Sequence, residues 1–249
     1  MTQKDYPIIT PMRGRSDPLI SPVVVLVFTV EDFREFQAKF ENSIITKREI
    51  YNATLLNIDY EGRTLTLVGP IIGAPQAVLI GEKLIVMGAR AFLAYGWCGS
   101  ISPKVRIGDI VIAKKAISEE GTSRHYPVNP DKVRATERLV RIIASHIPPN
   151  KITCHLGTVW STDAPYREMA SKVTNYQQQG ALSVDMETSA LLQVAAFRGV
   201  DIAPVLLVSD ELFEMKWKPG FRSKKFIDNR KLMTNIILNV ETNLQDLYR

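Results

Sequence analysis

The chain has 249 residues, 45% of them apolar, so it is long enough to bury a large core, and its length fits a single α/β domain. Its formal net charge of +5 is mild, and its basic residues form only short clusters, which argues against a nucleic-acid-binding protein. The apolar runs are too short to cross a bilayer, so we expect no membrane segment.

The cysteine content favours a reducing compartment. Cys98 and Cys154 are too few for a disulfide framework, and no Cys-x-x-Cys pair indicates a zinc site. The N-terminus starts polar and lacks the apolar core of a signal peptide. We therefore expect a cytoplasmic protein that holds no metal.

Strand-like and helix-like segments alternate along the chain. Residues 1–20 carry three prolines and several charges, and they predict an N-terminal arm. After the arm, the patterns predict, in chain order, a strand over 22–28, a helix over 31–40, a hairpin over 51–60 and 63–68, a helix over 74–87, strands over 91–95 and 109–117, a helix over 130–145, a strand over 154–160, a helix over 186–197, a strand over 202–208 and a helix over 222–246. Because no linker interrupts this alternation, we predict one domain over 1–249, with a three-layer α/β/α fold and a mixed, mainly parallel central sheet.

Ligands of such sheets bind at the carboxyl ends of the strands, and three predicted strand ends carry candidate residues. At residues 96–100 (Gly-Trp-Cys-Gly-Ser), two glycines allow a sharp turn and a close approach of the backbone to a ligand. A tight turn without a ligand explains the same glycines, since the segment matches neither the dinucleotide fingerprint nor the P-loop.

The second strand end, at residues 160–168, contains Tyr166 and Arg167. A stacking ring and a fork of N–H donors suit a planar, polar base. Helix capping by Ser161 or Asp163 is the alternative explanation for the polar residues of this segment.

The third candidate region joins residues 183–190 (Ser-Val-Asp-Met-Glu-Thr-Ser-Ala) to the later pair Ser209 and Asp210. The Glu187 carboxylate is a natural acceptor for the two vicinal hydroxyls of a sugar, and Met186 would give that sugar an apolar floor. In the alternative reading, Glu187 favours a helix N-terminus and Asp210 caps a helix. Jointly, the three regions place a stacking group, a diol acceptor and an acid at the strand ends of one sheet.

On these motifs the sequence resembles the nucleoside phosphorylase family, which includes the hexameric purine nucleoside phosphorylases, the uridine phosphorylases and the methylthioadenosine nucleosidases. The resemblance covers about residues 20 to 245. The segments that carry it are residues 96–99, 105–112, 119–126, 184–190 and 208–210.

The resemblance implies cleavage of the N-glycosidic bond of a nucleoside, with phosphate as the candidate co-substrate and no other cofactor. Glu187 would hold the ribose hydroxyls, and Met186 would pack against the sugar. Asp210 would be the general acid that protonates a purine leaving group, with Ser209 beside it, and Tyr166 lies near the family's base-stacking position. Because the Ser-Asp pair resembles the purine branch, a purine nucleoside is favoured over uridine.

The phosphate-binding segments depart from the family pattern. Residues 28–34 lack the glycine of the family's Gly-Asp-Pro-x-Arg motif, Ala94 stands at the position of the phosphate arginine, and Trp97 stands at that of a serine or threonine. The other candidates for the phosphate or nucleophile region are Gly96, Arg34, Arg90, Arg124 and His125.

These departures leave two alternatives to a phosphorylase. One is a nucleosidase of the same fold that uses water, and the other is a nucleoside-binding protein without activity. Because family members form dimers or trimers of dimers with sites near subunit interfaces, the resemblance also implies a homo-oligomer, either a dimer or a hexamer.

Overall fold

The computed structural model describes residues 6–248, which fold around one ten-stranded sheet. The strands are β1 (Val23–Val27), β2 (Ile44–Ile50), β3 (Ala53–Tyr60), β4 (Arg63–Gly69), β5 (Ala91–Ser100), β6 (Ile110–Ser118), β7 (Cys154–Ser161), β8 (Ala181–Asp185), β9 (Asp201–Glu211) and β10 (Lys218–Pro219). The helices are α1 (Val30–Lys39), α2 (Ala74–Met87), α3 (Glu137–His146), α4 (Ala170–Gln178), α5 (Thr188–Arg198) and α6 (Lys224–Gln245). Short 3-10 helices cover Glu41–Ser43, Ser123–His125, Pro130–Lys132 and Pro165–Arg167.

The strands follow the order β10-β9-β6-β7-β8-β5-β1-β4-β3-β2. Because β5 also pairs with β9, the five strands β5, β8, β7, β6 and β9 close on one another. Parallel pairs join β4 to β1, β1 to β5, β5 to β9, and β6 through β7 to β8. Antiparallel pairs join β6 to β9 and β5 to β8. Other antiparallel pairs form the two edges of the sheet, with β10 on β9 at one edge and β2, β3 and β4 at the other. The sheet is therefore mixed, as predicted.

Two groups of helices cover this sheet. α1 and α3 pack on α6, which lies on β1 and β9, whereas α2 packs on α5, which lies on β6, β7 and β9. All five residues of β1 are buried, as expected for a strand that is covered on both faces. The predicted α/β class is confirmed by this arrangement.

Two strands continue beyond their predicted ends. The glycine turn expected after residue 95 does not form, because β5 runs through residues 96–100 in parallel pairing with β9. The pairing shifts register between Cys98 and Gly99, and β9 likewise extends through residues 209–211. The candidate residues of both segments therefore lie within paired strands rather than in loops.

The helix predicted over residues 130–145 is wrong in its first half. Only the 3-10 turn Pro130–Lys132 and α3 are helical, because the N–H groups of Ala135 and Thr136 donate to the carbonyl oxygens of Lys114 in β6 and Ile202 in β9. The elements β2, α4 and β10 had not been predicted. None of the helices in the described part of the chain is long and apolar enough to cross a membrane.

The predicted N-terminal arm is irregular from residue 6 to residue 20, while residues 1–5 lie outside the described part. Asp17 fastens the arm to the domain, because its carboxylate pairs with Lys83 at 2.5 Å and with Arg48 at 3.3 Å. These two ion pairs lower the pKa of Asp17.

The carboxyl of Glu241, on α6, is fully buried. Its Oε1 accepts hydrogen bonds from Gln245 Nε2 at 2.7 Å and from Ser21 Oγ at 3.3 Å, while Oε2 has no partner among the described residues. Burial raises the pKa of Glu241 from 4.5 to about 7. The folded chain therefore holds this proton at pH values where the unfolded chain has lost it.

We expect the free energy of unfolding to fall as the pH rises from about 5 to 8, and Glu241→Gln to remove part of that fall. The stabilisation from the proton is complete below pH 4.5, the ordinary pKa, and it is lost as the pH rises through about 7. The variant should recover on the order of 1 to 3 kcal/mol of this pH dependence. Denaturant unfolding at both pH values measures it, and parallel pH dependence in the two proteins would contradict the prediction.

Candidate active site

A cavity of about 1430 Å³ opens where β1, β5, β8 and β9 end. Side chains from the segments after β4, β7 and β9 complete its wall. The predicted site residues that line it are Trp97, Tyr166, Met186, Glu187, Ser209 and Asp210. The structure therefore brings the predicted sugar, base and acid groups to one place.

Glu187 lies directly before α5 and is 5% exposed. Its Oε1 accepts a hydrogen bond from the N–H of Gly73, which precedes α2. Burial, together with the nearby charge of Asp185, raises the pKa of Glu187 to about 8. A carboxylate has about four lone-pair sites, so acceptor capacity remains for a ligand in the cavity.

Asp185 fixes the turn that presents Met186 and Glu187. Its Oδ1 accepts from Ser161 Oγ at 2.5 Å, and its Oδ2 accepts from the N–H of Thr188 at 2.9 Å as well as from the Thr188 hydroxyl. These donors come from β7 and from the first turn of α5, so they lock the junction of β8 with α5 against a neighbouring strand.

Asp210 is the second carboxyl that the predicted mechanism requires. It accepts hydrogen bonds from Ser209 Oγ at 2.6 Å and from Trp217 Nε1 at 2.9 Å. Burial raises the pKa of Asp210, and these two donors oppose that effect. A carboxyl with a raised pKa keeps its proton more readily near neutral pH, which suits a general acid.

Trp97 lines the cavity at the position where the family pattern has a hydroxyl. Its Nε1 donates to Asp32 Oδ2 at 2.7 Å, and the same oxygen accepts from Thr29 Oγ1 at 2.6 Å. Asp32 is fully buried, and burial raises its pKa to about 6. Arg230 lies 3.5 Å from the other oxygen of Asp32. The indole is thus held by a buried carboxyl behind the cavity wall.

Two glycines of β5 allow close packing at this wall. A Cβ on Gly96 would lie 2.3 Å from the ring of Phe28, so this glycine makes room for an apolar side chain and is not among the cavity residues. A Cβ on Gly99 would lie 2.6 Å from Leu212 and 3.2 Å from Asp210 Oδ2. Gly99 therefore keeps space beside the candidate acid.

The segment predicted to contact the base is only partly in position. Tyr166 reaches the cavity, but its side chain is 100% exposed, and Arg167 is exposed and does not line the cavity. The next residue, Glu168, is half-buried and does line it. Burial raises the pKa of Glu168 to about 7, with further contributions from Asp210 and Glu119.

The candidate replacements for the missing phosphate ligands lie elsewhere. Arg34, Arg90, Arg124 and His125 are all exposed, and none of them lines the cavity. Among the described residues that do, Lys216 is the one lysine or arginine. The carboxyl groups of the lining are those of Glu31, Glu168, Asp185, Glu187 and Asp210. Burial raises the pKa values of Glu168, Asp185, Glu187 and Asp210, so these groups hold protons more readily near neutral pH than exposed carboxyls do.

Three cavity residues, Trp217, Glu168 and Lys216, were not predicted as site residues. Trp217 reaches Asp210 because β10 folds back antiparallel on β9, with Pro219 opposite Asp210. No periodicity marks a two-residue strand, so this return was not predictable. No group of His, Cys, Asp and Glu side chains in the described residues has the arrangement of a metal site.

Comparison with known proteins places this geometry in a family. The family model described as the phosphorylase superfamily matches residues 22–239. A guanosine phosphorylase from Halorubrum lacusprofundi is 29% identical over 199 residues, which cover 76% of this chain and 80% of that protein. A DeoD-type purine nucleoside phosphorylase from Bacillus cereus is 29% identical over 156 residues, which cover 62% of this chain and 66% of that protein.

Solved structures share the fold. A uridine phosphorylase from Vibrio fischeri superposes with a TM-score of 0.77 at 23% identity, covering 90% of this chain and 93% of that one. A purine nucleoside phosphorylase from Toxoplasma gondii, in complex with immucillin-H, superposes with a TM-score of 0.79 at 22% identity, covering 99% and 100%. The predicted resemblance is confirmed by the family model, which spans most of the chain. The chain belongs to the phosphorylase superfamily.

Proposed function

We propose that this chain is a nucleoside phosphorylase that cleaves the N-glycosidic bond of a purine nucleoside. The observation that carries the proposal is the convergence of Glu187 and Asp210 on one cavity. The names of the guanosine and purine nucleoside phosphorylase relatives support both the reaction and the purine.

The two carboxyls have separate roles in this proposal. Glu187 accepts the ribose hydroxyls while Met186 packs against the sugar, and Asp210 protonates the departing base. A protonated base is a better leaving group, and the ribose passes through an oxocarbenium-like state as the bond breaks.

The attacking group in the proposal is inorganic phosphate, and Lys216 is its candidate cationic ligand. Phosphate sites need convergent donors and positive charge, and Lys216 is the cationic side chain among the described residues of the cavity wall. Thr29 also lines the cavity, although its hydroxyl donates to Asp32 Oδ2. Ala94 and Trp97 supply neither the guanidinium nor the hydroxyl of the family pattern.

We expect base release from guanosine, inosine or adenosine to require phosphate and to yield ribose 1-phosphate. Lys216→Gln should raise the KM for phosphate about tenfold, the effect of losing about 1.4 kcal/mol of binding, and leave the KM for the nucleoside unchanged. Lys231→Gln, on the exposed side of α6, is the matched control.

Three outcomes would contradict parts of this proposal. Turnover at the same rate without phosphate would replace phosphate by water as the attacking group. Nucleoside binding with no turnover in a broad panel would remove the enzymatic activity. An unchanged phosphate KM in Lys216→Gln would remove Lys216 as the anion ligand.

We further propose that the protein acts as a cytoplasmic homo-oligomer. Apolar side chains at the cavity mouth support association, since Ile72 is 73% exposed and Leu79 is 52% exposed. The two unpaired cysteines are compatible with a reducing compartment. A solution mass equal to that of one chain would contradict the oligomer.

A further inference from the structure

Glu168 is a cavity carboxyl that the mechanism above does not use. It follows the 3-10 helix Pro165–Arg167, is half-buried, and faces the cavity that Asp210 also faces. Its backbone N–H donates to the carbonyl oxygen of Pro165 at 3.4 Å. No side chain among residues 6–248 makes a hydrogen bond or an ion pair with its carboxyl group.

The neighbouring carboxyls, in contrast, are supplied with donors. Asp210 accepts from Ser209 and Trp217. Glu119 accepts from Trp160 Nε1 at 2.8 Å and pairs with Lys172. Burial raises the pKa of Glu168, and the negative charges of Asp210 and Glu119 act in the same direction. The Glu168 carboxyl therefore keeps its acceptor capacity for a ligand in the cavity.

We propose that Glu168 determines base specificity by accepting hydrogen bonds from the six-membered ring of a 6-oxopurine. This inference rests on the proposed function, in which Asp210 protonates the imidazole side of the same base. A 6-oxopurine carries an N1–H donor, and guanine adds a 2-amino group beside it. A carboxylate can accept from both donors at once, as in other charge-assisted bidentate pairs.

Adenine presents the opposite pattern to this carboxylate. Its N1 is an unprotonated acceptor, so an ionised Glu168 would face a lone pair instead of a hydrogen. A site that is built to hydrogen-bond an N–H group rejects an analogue that lacks it, because the polar group of the protein is left unpaired. The pairing holds for the ionised carboxyl, and the pKa of about 7 makes pH values above 7 the suitable condition.

The test compares guanosine, 1-methylguanosine and adenosine at about pH 8, with phosphate present. In the unaltered chain, kcat/KM for guanosine should exceed that for the other two by about 100-fold. This ratio is smaller than the one expected for a fully buried acceptor, because Glu168 is half-buried. Glu168→Ala removes both acceptors and should reduce these ratios at least tenfold. Glu168→Gln offers an amide that pairs with either base, so it should lower the guanosine-to-adenosine ratio in particular. The matched control is Glu214→Gln, an exposed residue outside the cavity.

Unchanged ratios in both variants would overturn the proposal, and so would an equal loss of kcat/KM for every substrate. If the unaltered chain cleaves no nucleoside, the proposed function fails, and calorimetric binding of guanosine and adenosine tests Glu168 separately. A guanosine preference in binding that Glu168→Ala removes would then support the role of Glu168, and equal affinities for the two nucleosides would overturn it.

Discussion

Asp210→Asn is expected to lower kcat for nucleoside cleavage by about 10²- to 10⁴-fold, the range that a positioned general acid contributes. Asn fills the same space and can keep its oxygen on Trp217 Nε1, while its NH₂ group donates to the Ser209 hydroxyl oxygen, so the cavity should keep its shape. The amide cannot deliver a proton to the leaving base. The loss should therefore appear in kcat, with little change in the KM for the nucleoside. Initial rates of base release over a range of nucleoside concentrations measure both constants.

Two controls separate this effect from a folding defect. Asp228→Asn makes the same chemical change at an exposed residue of α6 that pairs with Lys224, and it should keep full activity. Because burial raises the pKa of Asp210, the proton is retained at higher pH than in an exposed aspartate, and it is lost as the pH rises further. The alkaline decline in rate should therefore disappear in Asp210→Asn. Full activity in that variant would make the acid assignment wrong.

The elements predicted with correct bounds are those flanked by residues that end helices or strands, such as glycine. The helix predicted over 74–87 is observed as α2 with the same bounds, because Gly73 and Gly88 flank it and both have positive φ. The ends of β5 and β9 were placed too early, since glycine and polar residues usually mark loops. In this chain β5 and β9 pair with each other through those residues. The paired residues are more than a hundred positions apart in the sequence, so no local sequence pattern marks the pairing.

The candidate site was also only partly predictable from the sequence. Residues 185–187 and 209–210 stand out by residue type, and the rule for strand ends brought them together. Glu168 and Trp217 could not be assigned, because their positions depend on a 3-10 turn and on the return of β10 to β9. Arg167 was predicted to contact the base, but its side chain is exposed and does not line the cavity.

Trp97 illustrates why a departure from a family pattern needs the structure. From the sequence alone it is a bulky residue at the position of a hydroxyl. In the fold, its indole N–H and the Thr29 hydroxyl are the donors that satisfy Asp32 Oδ2, across a separation of 65 residues in the first case. A buried carboxyl that loses a donor is destabilised, so Trp97 and Asp32 depend on each other. The same pair also adds a buried acidic group behind the wall where the co-substrate is proposed to bind.

At pH values above about 8, where Glu187 is ionised, Glu187→Gln is expected to lower kcat/KM by about 10²- to 10³-fold, because hydrogen bonds to a charged group contribute about 1.5 to 3 kcal/mol each. Gln can keep its oxygen on the N–H of Gly73, as Glu187 Oε1 does. Its NH₂ group then faces the sugar hydroxyls, where the proposed mechanism needs an acceptor. Rates with purine ribonucleosides measure the loss, and Glu137→Gln, at the exposed start of α3, is the matched control.

The 2′- and 3′-deoxynucleosides make the Glu187 prediction specific to the diol. Removing either hydroxyl from the substrate should slow the unaltered chain markedly, whereas in Glu187→Gln the same removal should cost little, since the partner of that hydroxyl is already gone. The two changes are therefore expected to be non-additive, as for groups in direct contact. The two rate reductions could instead multiply when the variant is assayed with a deoxynucleoside. That result would mean that Glu187 acts through the fold of the β8–α5 junction and does not hold the ribose.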